Sequence, residues 1–90
     1  MKRVHVIVEG DVQGVYFRTY TEAEAHKVGV AGWVRNRPDG TVEAAIEGEA
    51  DKVDQLVEWL KTGSPMSKVS RVLVAEENPI GETGRFNIRY

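Results

Sequence analysis

The chain has 90 residues, 41% of them hydrophobic and 29% charged, with a formal net charge of -2. That length reads as a single small domain over residues 1–90, too short for a dinucleotide-binding fold with a substrate domain, a barrel enzyme or a kinase. The composition is that of a folded globular chain, and the negative balance disfavours general binding to nucleic acid or to an anionic membrane.

Val4, Val6 and Val8 alternate with Arg3, His5 and Glu9. Period two with β-branched residues predicts a strand ending near Glu9-Gly10. Asp11 to Gly14 reads as a loop. From Phe17 to Val28 the period becomes helical, with Phe17, Thr21, Ala25 and Val28 on one face and Gly29 at the position of a terminating glycine. Val30 to Asn36 is a second strand, Arg37-Pro38-Asp39-Gly40 a turn, and Thr41 to Gly48 a third strand. The third strand puts Val42, Ala44 and Ile46 on one face and Glu43 and Glu47 on the other, and it forms a hairpin with the second.

Val53, Leu56, Val57 and Leu60 mark the buried stripe of a second helix. Asp51 and Asp54 near its start, and Lys61 and Gly63 at its end, suit the helix dipole. Ser64-Pro65-Met66-Ser67 reads as a linker, Val69 to Ala75 as a fourth strand, and Asn78-Pro79-Ile80-Gly81 as its break. Phe86, Ile88 and Tyr90 alternate in a short last strand. The order strand, helix, strand, strand, helix, strand predicts a ferredoxin-like α+β sandwich, an antiparallel sheet with both helices on one face. Such a fold carries no function of its own.

Cys is absent, which removes disulfides, thiolate metal sites and cysteine nucleophiles. A domain this small without disulfides fits a reducing cytoplasm. No apolar run approaches the roughly 20 residues of a spanning helix. Met1-Lys2-Arg3 is basic like the start of a signal peptide, but the apolar stretch from Val4 ends at Glu9, too soon for a signal core.

Gly10-Asp11-Val12-Gln13-Gly14-Val15-Tyr16-Phe17-Arg18 leaves a strand, turns through a glycine-bearing loop and enters a helix. Converging N–H groups and the helix dipole at such a place favour oxyanions, phosphate above all. Arg18 falls in the first helical turn, the unfavourable end of the dipole for a cation, and an anion between it and the loop resolves the conflict. On spacing alone the plain reading, a strand-to-helix turn with a surface Arg, comes first because glycine loops are common, and this is not a Walker A loop. Asn36 ends the second strand beside a turn, where Asn is common for its own hydrogen bonds.

That loop, with Gly32-Trp33-Val34-Arg35-Asn36, Asp39-Gly40-Thr41-Val42-Glu43 and the ending Phe86-Asn87-Ile88-Arg89-Tyr90, resembles acylphosphatase over essentially the whole chain. The resemblance implies hydrolysis of carboxyl-phosphate anhydrides without metal or cofactor. It implies catalytic roles for Arg18 and Asn36, and a phosphate cradle from Asp11, Val12, Gln13, Gly14, Val15, Tyr16 and Phe17 with Arg18. It also implies a small-molecule acyl phosphate as substrate and inorganic phosphate as product. The negative charge leads us to expect no nucleic-acid or membrane partner, and a monomer is the expectation for a state the sequence leaves open.

The chemistry agrees. The leaving carboxylate has a conjugate acid near pKa 4–5, like a side-chain carboxyl, and departs without a general acid. Holding the phosphoryl oxygens and aiming a water in line is what remains. Two other classes stay open: a non-hydrolytic phosphate-binding module of the same shape, as in larger carbamoyl-phosphate-using maturation proteins, and a ferredoxin-like RNA binder. Base stacking on sheet aromatics would mark the latter, and these strands carry mainly aliphatic, Glu and Arg residues.

Other chemistry-bearing residues have plainer readings. Glu22 and His26 stand four apart, a spacing for two metal ligands but also for a solvated helix face. Arg35 and Arg37 flank Asn36 and either widen the positive field there or lie exposed. Trp33, Trp59 and Tyr20 read first as packing residues. Ser64, Ser67 and Ser70 read as linker and strand polar residues.

Overall fold

A computed structural model describes all residues, Met1–Tyr90. Five strands and two helices follow in the order β1 (Lys2–Asp11), α1 (Phe17–Val28), β2 (Ala31–Asn36), β3 (Val42–Gly48), α2 (Ala50–Thr62), β4 (Lys68–Glu77) and β5 (Asn87–Arg89). The sheet order is β4-β1-β3-β2-β5. The four long strands pair antiparallel, as a ferredoxin-like sandwich requires. The short last strand adds to that antiparallel sheet a pairing not legible in the sequence, because β5 pairs parallel to β2. After β4 the chain crosses the end of the sheet to the opposite edge and turns back along β2, which periodicity within a strand does not record.

The valines that alternate in β1 meet their counterparts across the sheet. Val4 faces Ile46, Val6 faces Ala44 and Val8 faces Val42. All six are buried beneath Phe17 and Ala25 of α1 and Val53, Leu56 and Leu60 of α2. Burying such a side chain contributes roughly 1.5–3 kcal/mol before conformational entropy is counted. Val57, expected in the same stripe, lies at its flank and is only partly covered. Trp59 packs against Phe17 with ring centroids 6.0 Å apart. Gly29 ends α1 in the left-handed region with its N–H bonded to Ala25. Neither helix is long and apolar enough to cross a membrane.

β3 is the middle strand and is buried on both faces. On the face away from the helices, Glu43 binds His5 and Arg35, each at 2.5 Å. Burial works to raise its pKa, but those two bonds outweigh it and hold it below the usual carboxylate range. Glu47 is only 1% exposed. It accepts hydrogen bonds from the N–H groups of Ile80, Gly81 and Glu82, at 3.0, 2.9 and 2.9 Å, and from Arg3 at 3.1 Å. The Ile80 N–H is the leading cause that depresses its pKa. Burial opposes, while Arg3 and the other two N–H groups add to the depression. Glu47 is thus the anchor of the segment that carries the chain from β4 to Phe86, which is fully buried.

Candidate active site

The sheet topology sets the site. β1 and β2 both pair antiparallel to β3, so they run in the same direction and end on the same side of the sheet. Val42 is paired with Val8 on one side and with Asn36 on the other. The loop that leaves β1 therefore rises next to Asn36, although 18 or more residues separate them in the chain.

A hollow of about 330 Å³ lies there, lined by Val12, Gly14, Tyr16, Phe17, Arg18, Thr19 and Asn36. Gly14 turns the loop at φ 73° with no atom near enough to obstruct a side chain. Backbone conformation rather than space is what asks for glycine. Tyr16, which precedes α1, also sits in the left-handed region, at φ 61° and ψ 23°. It is the one non-glycine residue with positive φ. The backbone N–H groups from Gln13 to Thr19 donate to no acceptor within the protein. The first turn of α1 contains no acidic residue. Its dipole thus faces the hollow uncompensated.

Arg18 makes no ion pair with any carboxylate; its guanidinium carbon stands 4.9 Å from the centre of the Tyr90 ring. Tyr90 was expected to continue the alternation of the last strand. Instead it lies beyond β5, exposed, beneath Arg18. Asn36 is half-buried, and its Oδ1 is shielded from solvent with no hydrogen-bond partner. Leaving such an acceptor unpaired costs about 1–3 kcal/mol.

Three of the loop residues face elsewhere. Asp11 is the exposed last residue of β1. Gln13 turns its side chain to the β2–β3 turn, donating to the carbonyls of Arg37 at 2.8 Å and Thr41 at 2.9 Å. Val15 offers its carbonyl to the hydroxyl of Ser64 at 2.8 Å. In the turn, Asp39 accepts from the hydroxyl and the N–H of Thr41, which hold it below the usual carboxylate range. The two arginines beside Asn36 do not line the hollow: Arg35 is bound to Glu43 and Arg37 lies 3.7 Å from Asp39.

Sequence reading passed over Thr19 and took Ser64 for part of a linker. Ser64 is instead buried. Its only signal is the Gly63-Ser64-Pro65 bracket, in which a glycine and a proline fix the place of a small hydroxyl. His26 does not stand on a solvated face. Its Nε2–H donates to the carbonyl of Phe86 at 2.8 Å, which leaves Nδ1 to accept from Arg85 at 3.0 Å. A larger hollow, about 500 Å³, lies at that opposite end of the sheet. Size does not make it the better site, because His26, Glu47, Glu82 and Arg85 in its wall already have partners. The smaller hollow holds the unpartnered groups.

Fold and hollow together define an α+β sandwich with a cationic pocket at a strand-to-helix loop. The acylphosphatase family model matches residues 4–88. The acylphosphatase of Syntrophobacter fumaroxidans is 54% identical over 89 residues, covering 99% of this chain and 92% of that protein. The acylphosphatase of Thermococcus kodakarensis is 52% identical over 86 residues, covering 93% and 94%. The crystal structure of acylphosphatase from Bacillus subtilis has a TM-score of 0.95 at 44% identity, with both chains fully covered. The chain belongs to the acylphosphatase family, and its activity is the hydrolysis of acyl phosphates.

Proposed function

We propose that hydrolysis takes place in the hollow between the Asp11–Phe17 loop and Asn36, with Arg18 and the loop N–H groups holding the phosphoryl oxygens and Asn36 aiming the water. The observation that carries this reading is one pocket containing an Arg without a carboxylate partner, a run of unused N–H donors and a buried, unpartnered amide oxygen. Each lacks what the reaction supplies. A phosphoryl group satisfies the first two, and a water hydrogen satisfies the third.

Water attacks phosphorus in line, the P–O bond to the acyl group breaks, and its electron pair leaves with the carboxylate. The water proton passes to a phosphoryl oxygen, giving inorganic phosphate. The planar guanidinium of Arg18 binds two oxygens at once, which a lysine ammonium does not. An amide is no base near neutrality, so Asn36 acts by position alone. The leaving carboxylate needs neither a general acid nor a metal to depart. Grip on the phosphoryl end alone leaves the acyl group free to vary. We place the reaction in a single copy of the chain, whose residues suffice to line the hollow, and in the reducing cytoplasm, in keeping with a sequence without Cys.

The test is turnover of a simple acyl phosphate in the presence of a chelator, with inorganic phosphate as inhibitor. Turnover unaffected by the chelator and competitively inhibited by phosphate is expected, with alkyl phosphate esters poor substrates. Hydrolysis without competition by phosphate would count against the site.

A further inference from the structure

We infer that Ser64 is a positioning residue for this site: by holding the carbonyl of Val15 it keeps the Tyr16 N–H directed at the phosphoryl group. The inference rests on the phosphate cradle proposed above.

Ser64 is 2% exposed, and its hydroxyl donates to the Val15 carbonyl across 49 positions of sequence. The turn that carries it is closed on itself. The carbonyl of Ser64 accepts from the Ser67 N–H at 3.0 Å and from the Ser67 hydroxyl at 2.7 Å. Gly63, at φ 74°, lies so close to the Phe17 ring that a Cβ there would stand 2.6 Å from it. Ser64 is therefore a fixed point pressed against the start of α1.

Tyr16 needs such a fixed point. It holds a left-handed conformation that a tyrosine disfavours, and its side chain is 74% exposed, so packing does not enforce the strain. Two hydrogen bonds flank it instead. Its own carbonyl accepts from the Tyr20 N–H at 3.0 Å, and the preceding carbonyl is held by Ser64. The peptide between Val15 and Tyr16 is trans, so its C=O and N–H point in opposite directions. Pulling the oxygen toward Ser64 turns the N–H away from it, toward the hollow that Tyr16 lines. Without that pull, the relaxation that relieves Tyr16 is rotation of this peptide to negative φ. The rotation carries the N–H out of the cradle and brings a carbonyl oxygen in, which repels an anion.

The inference is tested with Ser64→Ala, assayed for acyl-phosphate turnover and for inhibition by inorganic phosphate. The N–H serves ground state and transition state alike, so KM and the phosphate inhibition constant should rise together by about tenfold, the scale of one hydrogen bond to a charged group, while kcat changes little. Asn accepts the left-handed region, so adding Tyr16→Asn to Ser64→Ala should restore most of the phosphate affinity. In the unaltered protein, the Tyr16 amide resonance should shift when phosphate is titrated in, a readout that requires no variant. A Ser64→Ala protein that loses thermal stability but keeps its KM and inhibition constant overturns the positioning role, as does failure of Tyr16→Asn to rescue or an unmoved Tyr16 amide. An unchanged Ser64→Ala beside an Arg18→Ala that no longer binds phosphate overturns this inference and leaves the cradle standing. Absence of phosphate competition in the unaltered protein overturns both.

Discussion

The side-chain amide of Gln13 donates to the carbonyl of Arg37 at 2.8 Å and so fastens the loop after β1 to the turn after Asn36. Its second hydrogen goes to the carbonyl of Thr41 at 2.9 Å, leaving the amide nitrogen fully used. The proposed cradle and Asn36 are thus tied to each other by this side chain as well as by the strand pairing through Val42.

Gln13→Ala removes that tie. The loss of two partly buried hydrogen bonds should lower stability by about 1–3 kcal/mol, measured by denaturant unfolding. Turnover should fall by more than phosphate affinity does, since each half of the site survives and only their alignment is lost. Equal losses in both would show that the loop itself had collapsed.

Arg18→Ala should weaken substrate binding and rate together, because in the proposed mechanism the guanidinium touches the phosphoryl group before and during reaction. Its removal from a group in direct contact with developing charge should cost about 10²-fold or more in kcat/KM. Arg18→Lys should recover little, since a point charge lacks the two-pronged geometry. Steady-state kinetics decide it, and near-normal activity in the lysine variant would exclude the bidentate contact.

Asn36→Ala should leave the phosphate inhibition constant nearly unchanged while kcat falls by about 10²-fold, the scale of a misplaced reactant. The same change deletes a buried, unpartnered oxygen, so the variant should be no less stable than the parent, and a thermal melt tests that. Unaltered turnover under conditions where chemistry limits the rate would return Asn36 to the role of a turn residue.

Glu47 makes stability depend on pH. Its folded pKa lies below the ordinary value of about 4.3, so the folded state favours the charged form. The stabilisation is complete above that ordinary value and is lost as pH falls through the depressed folded one. Glu47→Gln should be markedly less stable than the parent at neutral pH, with the gap closing as the solution is acidified below about pH 4. Urea titrations at several pH values measure it. A gap independent of pH would mean that the Ile80, Gly81 and Glu82 N–H groups do not depend on the carboxylate charge.

The sequence by itself determined the local elements and marked most of the residues that line the hollow. Alternating valines place β1, the Leu56 stripe places α2, and Gly29 ends α1, because strand and helix periods are properties of neighbouring residues. The long loop motif and Asn36 were legible for the same reason, as a contiguous pattern at an element boundary. What only the tertiary structure decided are relations between distant segments. It set β5 parallel beside β2, turned Glu47 from one side of a strand into a buried anchor, and withdrew Arg35 toward Glu43. It also brought Ser64 to the carbonyl of Val15 and the β2–β3 turn to the side chain of Gln13. A hydroxyl in a short polar stretch reads as solvent-facing until another segment presents it with a carbonyl. A strand's side chains alternate in sequence, but which of them is covered depends on what the rest of the chain lays across the sheet.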